Sequence, residues 1–169
     1  MEILFSEAEI RERIRCLGNE ISEFYQEQPL TILALLNGAL IFAADLARNI
    51  SCENCFLDCL AVYSYAGHNS SGELHFRCQP KLPCAERHIL LVDGVLDTGL
   101  TLSKISEKIA SQGALSVRSC VFAEKIRLRS QTMQHADWAA FKVPDSYLVG
   151  YGMDSNEKFR QLPYLAAIS

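Results

Sequence analysis

Asp93, Asp97, Thr98, Gly99 and Thr101 follow directly on the apolar run Ile89-Leu90-Leu91-Val92. An unbroken apolar run reads as a strand buried on both faces of a sheet. The chain then turns through acid, small, apolar, apolar, acid and Thr98-Gly99-Leu100-Thr101, and a helical pattern begins. Carboxylates, hydroxyls and a glycine are thereby set at the C-terminal end of a parallel strand, where open α/β sheets bind ligands. Glycine lets backbone approach a ligand closely, and the amides opening the next helix form an anion site with the helix dipole behind them. That chemistry suits a ribose 5-phosphate, with amides and threonines on the phosphate and acids on the sugar hydroxyls. The plainer reading is a strand-to-helix turn in which Asp97 or Thr98 serves as an ordinary N-cap.

The elements that must position this turn are legible on both sides of it. Ser6-Glu7-Ala8-Glu9 has the form of a capping box, and Ile10, Ile14, Leu17, Ile21 and Phe24 fall on one helical stripe that ends before Pro29. Thr31 to Leu36 reads as a buried strand, Asn37-Gly38 as its turn and Leu40 to Asn49 as a helix. Phe56 to Tyr63 is a second strand. The polar, glycine-punctuated stretch Ser64 to Glu73 has the composition of a mobile loop, and Leu74, Phe76 and Cys78 alternate as a short strand beside it. Strand Ile89 to Val92, helix Leu102 to Ser111 with Gly113 as its C-cap, and strand Val117 to Phe122 complete a βαβ unit. Short strands fit Ala139 to Lys142, Leu148 to Gly150 and Leu165 to Ile168. The expected fold class is α/β: a single domain over residues 1–169, with a mainly parallel twisted sheet flanked by helices, a flexible active-site loop and a small C-terminal hood. The core takes in about residues 1–140 and the hood mainly 141–169.

Composition narrows the classes of partner. The 169 residues are 49% hydrophobic with a formal charge of −4, and the isoelectric point lies near 5.6. Such a chain buries a full core and has no basic excess to neutralise a nucleic-acid backbone. The longest apolar stretch, Leu30 to Ala47, is interrupted by Asn37-Gly38 and carries Asp45, so it reads as strand, turn and helix, not as a membrane span. The N-terminus lacks a basic region followed by an apolar one, and no signal peptide is expected. Seven cysteines without a framework spacing imply a reducing, cytoplasmic setting. Cys52, Cys55 and Cys59 have part of a metal or redox spacing, but no second Cys-x-x-Cys or nearby histidine completes it; core filling is the alternative.

The stretch from Val92 to Leu102 resembles the phosphoribosyl-pyrophosphate signature of type I phosphoribosyltransferases. Leu36-Asn37-Gly38-Ala39-Leu40-Ile41-Phe42-Ala43-Ala44-Asp45-Leu46 resembles the first active-site loop and helix of the hypoxanthine-guanine members. Val143-Pro144-Asp145-Ser146-Tyr147-Leu148-Val149-Gly150-Tyr151-Gly152-Met153-Asp154, continuing to Tyr164, resembles their base-binding hood. The resemblance implies transfer of ribose 5-phosphate from phosphoribosyl pyrophosphate to N9 of a 6-oxopurine, with Mg2+ as cofactor and a homodimer or homotetramer as the assembly. It assigns the 5-phosphate to Thr98, Gly99, Leu100 and Thr101, and the ribose hydroxyls to Asp93, directly or through magnesium. Asp97 is placed near N7 of the purine as catalytic base. Lys125 donates to the purine O6, where an ammonium suits an oxo group and offers a 6-amino group nothing to accept. Tyr147 stacks on the base and Leu148 presents backbone to its edge. Asp154 lies beside the base and anchors a second magnesium. Asn37, Gly38 and Arg160 meet the pyrophosphate, and Ser64 and Tyr65 open a loop that closes over it. Without the family context, Lys125 reads as an ordinary lysine after a strand and Tyr147 as a core tyrosine.

Two positions depart from the pattern. The family usually has a second acid where this chain has Gly94, and loss of one charge-assisted bond to a ribose hydroxyl costs about 1.5–3 kcal/mol. The expectation is an enzyme with a weakened ribose contact, in which Gly94→Asp gains affinity. Asn37 stands where many relatives carry lysine or arginine, and in the family the peptide entering it is often cis; backbone amides of Asn37-Gly38 would still meet pyrophosphate. Alternative readings are a catalytically weakened nucleotide sensor or regulator on the same fold, and a relative preferring another base such as xanthine.

Overall fold

The computed structural model describes residues 1–63, 75–126 and 135–168. Its core is a six-stranded sheet in the order β4-β3-β2-β5-β6-β7, and a three-stranded sheet β1-β9-β8 forms the hood. The large sheet comprises β2 (Leu30–Leu36), β3 (Cys55–Tyr63), β4 (His75–Cys78), β5 (His88–Leu96), β6 (Ser116–Lys125) and β7 (Trp138–Val143). All its neighbours pair in parallel except β4, which lies antiparallel on the edge beside β3.

Both faces of this sheet are covered. Leu33, Leu35, Ile89, Leu91 and Val121 pack with Leu102, Ile105 and Ile109 of α3 (Leu100–Ser111). Ile32, Ala34, Leu90, Val92 and Phe122 belong to the opposite cluster, with α1 (Glu7–Tyr25) and α2 (Leu40–Asn49). Burial on two faces is why the strands read as continuous apolar runs; each large side chain so buried contributes roughly 1.5–3 kcal/mol.

The capping box at α1 forms as expected: Ser6 N–H donates to Glu9 Oε2 at 2.8 Å, and Glu9 N–H reaches Ser6 Oγ at 3.4 Å. Ile10, Ile14, Leu17 and Ile21 are buried, but the stripe ends differently. Tyr25 takes the core position, while Phe24 is half exposed and meets the Trp138 ring edge-on. Gly18 marks the crossing of α1 and α2, where a Cβ would stand 2.4 Å from the Asn49 carbonyl oxygen.

Strand β5 runs on to Leu96, beyond the expected end at Val92, because pairing with β6 continues through Asp93↔Val121 to Leu96↔Glu124. Asp93 and Gly94 therefore lie in the strand, and the turn begins only at Asp97. The sequence reading gave no strand to the N-terminus; β1 (Glu2–Phe5) pairs antiparallel with β9 (Leu165–Ile168), which pairs in turn with β8 (Tyr147–Val149). Leu74 and the loop 64–73 lie outside the described residues. Among the described residues no helix is long and apolar enough to cross a membrane, and all seven cysteines are free thiols.

Candidate active site at the switch between β2 and β5

Strands β2 and β5 are neighbours, and the chain continues from them to opposite edges of the sheet. Such a switch point opens a crevice at the carboxyl ends of the strands. Leu36, Asn37 and Gly38 leave β2 there, and Asp93 to Asp97 end β5 beside them. The Leu36–Asn37 peptide is cis, as the resemblance implied. The Gly38 carbonyl fits between two glycines: a Cβ on Gly94 would sit 3.1 Å from its carbon and oxygen, and one on Gly152 only 2.5 Å from the oxygen. Absence of side chains at Gly94 and Gly152 thus lets turn, central strand and hood close together.

Asp93 sits at the base of this crevice. The Gly94 N–H donates to its Oδ1 at 2.7 Å. Burial outweighs that bond and pushes the carboxyl from 3.8 up to about 6. The folded state therefore binds the proton more tightly than the unfolded chain. Above pH 6 the buried charge costs on the order of 2–3 kcal/mol, and the cost vanishes as pH falls through 6 to about 4. Asp93→Asn keeps an acceptor for the Gly94 amide without the charge. In denaturant titrations free of substrate and divalent cation, it is expected to be more stable than the parent at pH 7.5 and equal to it near pH 4. An advantage of the same size at both values would refute this account.

Gly99 adopts φ +79° and opens α3, and no side chain caps that helix. The plainer reading, an ordinary cap from Asp97 or Thr98, is thus not met; Thr98 Oγ1 accepts from the Leu100 amide at 3.4 Å. Thr98, Leu100 and Thr101 are exposed and Gly99 half-buried, so the positive end of the helix dipole faces an accessible loop, as anion binding requires.

Lys125 ends β6 and is largely buried, with its ammonium 3.5 Å from Asp97 Oδ2 and 3.3 Å from Asp145 Oδ1. Asp97 Oδ1 is shielded from solvent. Tyr147, two residues after Asp145, is 56% exposed, so it is not a core tyrosine. Leu148, in the hood strand β8, is buried. Asp154 accepts from the Glu157 amide at 2.9 Å and pairs with Arg160 at 2.7 Å. Arg160 is also engaged with the Gly152 carbonyl at 2.8 Å and Glu157 at 3.0 Å, so within the hood it acts as a fastener. Ser64 and Tyr65 lie outside the described residues. Sequence reasoning gave Asp145 no role; its signal was an acid two residues before the exposed aromatic. A cavity of about 480 Å³ among α1, α2 and the hood, lined by Arg11, Asp45 and Tyr151, contains none of these residues.

The donor set fits magnesium in one respect. Mg2+ is held by one or two carboxylates together with substrate phosphates, not by an all-protein cage, and Asp93 of β5 and Asp154 of the hood are single carboxylates of that kind. Among the described residues no three metal-ligating side chains converge, at Cys52, Cys55 and Cys59 or elsewhere.

The phosphoribosyl transferase domain model matches residues 2–156. The hypoxanthine-guanine phosphoribosyltransferase of Aquifex aeolicus is 36% identical over 165 residues, 96% of this chain and 92% of the relative. The hypoxanthine-guanine-xanthine phosphoribosyltransferase of Tritrichomonas foetus is 29% identical over 98% of this chain and 90% of its own length. The crystal structure of a hypoxanthine phosphoribosyltransferase from Staphylococcus aureus superposes with a TM-score of 0.92 at 29% identity, covering 100% of this chain and 91% of that one. On the domain match and on relatives up to 36% identical over nearly the whole length, the chain belongs to the phosphoribosyltransferase family, within its hypoxanthine-guanine branch.

Proposed function

We propose that the protein transfers ribose 5-phosphate from phosphoribosyl pyrophosphate to N9 of hypoxanthine or guanine, forming IMP or GMP and releasing pyrophosphate. The observation that carries this reading is the meeting of Lys125 with Asp97 at the end of β5 and with Asp145, two residues before the exposed Tyr147. The bond from C1 to the pyrophosphate oxygen breaks as the bond to N9 forms, and charge develops on the sugar. Catalysis then rests on placing the base, stabilising charge and excluding water. Tyr147 supplies a stacking surface, worth roughly 0.5–1.5 kcal/mol beyond its area. Lys125 donates to O6, and Asp97 takes the N7 proton as the base becomes nucleophilic. Thr98 to Thr101 hold the 5-phosphate and Asp93 the ribose hydroxyls. The amides of Asn37 and Gly38 meet pyrophosphate, with Arg160 holding Asp154 in place beside them and Ser64 and Tyr65 opening the closing loop. Asp93 and Asp154 would hold magnesium, which when bound would supply countercharge to the phosphates. The assembly is a homodimer or homotetramer, and the free thiols fit a reducing, cytoplasmic setting.

Incubation with hypoxanthine, phosphoribosyl pyrophosphate and Mg2+ is expected to yield IMP and pyrophosphate, with guanine accepted and adenine rejected. No nucleotide product from any 6-oxopurine would overturn the reading.

Gly94 tests the ribose contact. A side chain there must displace the Gly38 carbonyl by a few tenths of an ångström, so Gly94→Asp carries a steric cost beside its new carboxylate. The proper reference is Gly94→Ala, which carries the push alone. Gly94→Asp is expected to bind phosphoribosyl pyrophosphate about 10–100-fold more tightly than Gly94→Ala, the equivalent of one charged hydrogen bond. Equal Michaelis constants for the two variants would show that no hydroxyl lies within reach.

A further inference from the structure

Lys125 has a long, flexible side chain, yet its O6 contact requires an ammonium held in one place. The strand ladder supplies the means. Lys125 pairs with Val143 in the β6–β7 register, and the Ile126 amide donates to the Val143 carbonyl at 2.7 Å. Pro144 then fixes φ as the chain leaves β7, and the Ser146 amide donates to the Pro144 carbonyl at 2.8 Å. This tight turn sets the Asp145 carboxylate 3.3 Å from the ammonium and only two residues before the Tyr147 face. The same ammonium lies 3.5 Å from Asp97 on the opposite wall.

We propose that Asp145 is a positioning residue for Lys125, and that the pair, not the lysine alone, sets discrimination between 6-oxo and 6-amino purines. This rests on the function proposed above. The reason lies in the proton. When Asp97 takes the N7 proton it loses the charge that attracts Lys125, at the moment when the O6 bond matters most. Asp145, outside that transfer, holds the ammonium whichever proton state Asp97 is in. Its turn is also continuous with the stacking residue, so the distance between the O6 donor and the base plane is fixed by one short segment.

The test uses Asp145→Asn, Asp145→Glu, Lys125→Ala and the double variant Lys125→Ala/Asp145→Asn, each checked for folding by circular dichroism and thermal midpoint. Asp145→Asn is expected to raise the hypoxanthine KM about tenfold while leaving the phosphoribosyl pyrophosphate KM within about twofold, and to shrink the hypoxanthine-to-adenine ratio of kcat/KM by about tenfold. Asp145→Glu restores part of the loss. In the Lys125→Ala background the Asp145 change adds less than about twofold, since the group it positions is gone. Calorimetry gives a second readout: IMP binding weakens in Asp145→Asn while ribose 5-phosphate binding does not. Equal losses for both substrates, or an undiminished Asp145 effect in the Lys125→Ala background, would overturn the proposal. A parent protein that turned over no 6-oxopurine would instead overturn the function on which it rests.

Discussion

Asp97→Asn is expected to lower kcat with hypoxanthine by about 10²–10⁴-fold, the range that a positioned general base contributes. Asparagine has nearly the same shape and can accept a hydrogen bond, but it cannot take up the N7 proton. The carboxylate stands where this matters: one oxygen faces Lys125 at 3.5 Å and the other is shielded from solvent. Its loop lies past the end of β5, so the substitution leaves the sheet ladder untouched. The phosphoribosyl pyrophosphate KM should change much less than kcat, since the grip on the 5-phosphate proposed above lies with the following Thr98 to Thr101. Steady-state kinetics with each substrate varied in turn separates the two. An Asp97→Asn protein with full kcat would remove this residue from the chemistry and shift attention to the purine's own N9 proton.

Much of this site was open to a reader of the chain alone, because its pieces are local. The Val92 to Leu102 stretch carries its strand, glycine turn and helix start in consecutive residues, and Asn37-Gly38 is marked by the apolar runs on either side. What stayed hidden depends on distant pairing. Nothing in Glu2-Ile3-Leu4-Phe5 announces a strand until β9 is beside it, since the partner lies at the other end of the chain. Phe24 and Tyr25 are adjacent aromatics near one stripe, and only the packing of Trp138 and the sheet edge decides which is buried. The span of β5 was read short because an acid and a glycine follow Val92, yet a strand's backbone ladder is indifferent to both where the neighbouring strand continues. Asp145 acquires its partner only through the β6–β7 register.

The close approach around Gly38 is the other feature no local pattern reveals, and it carries a large stability effect. Gly152→Ala is expected to cost about 2–6 kcal/mol. Two independent penalties add: its φ is +97°, a region that strains an L residue by roughly 1–3 kcal/mol, and its Cβ would press into the Gly38 carbonyl at 2.5 Å, an overpacking cost of about 1–3 kcal/mol. Neither neighbour yields easily. The Gly152 amide donates to the Arg160 carbonyl at 2.9 Å, its carbonyl accepts from the Arg160 guanidinium, and Gly38 stands in the tight turn between β2 and α2. Gly38→Ala is the informative contrast, because a Cβ there meets nothing within 4 Å; its stability should remain within about 1 kcal/mol of the parent. The glycines flanking the turn, not the glycine inside it, therefore bear the steric constraint. Urea midpoints at constant m-value measure both variants. If Gly152→Ala proved as stable as Gly38→Ala, the hood would not rest on the Asn37-Gly38 turn.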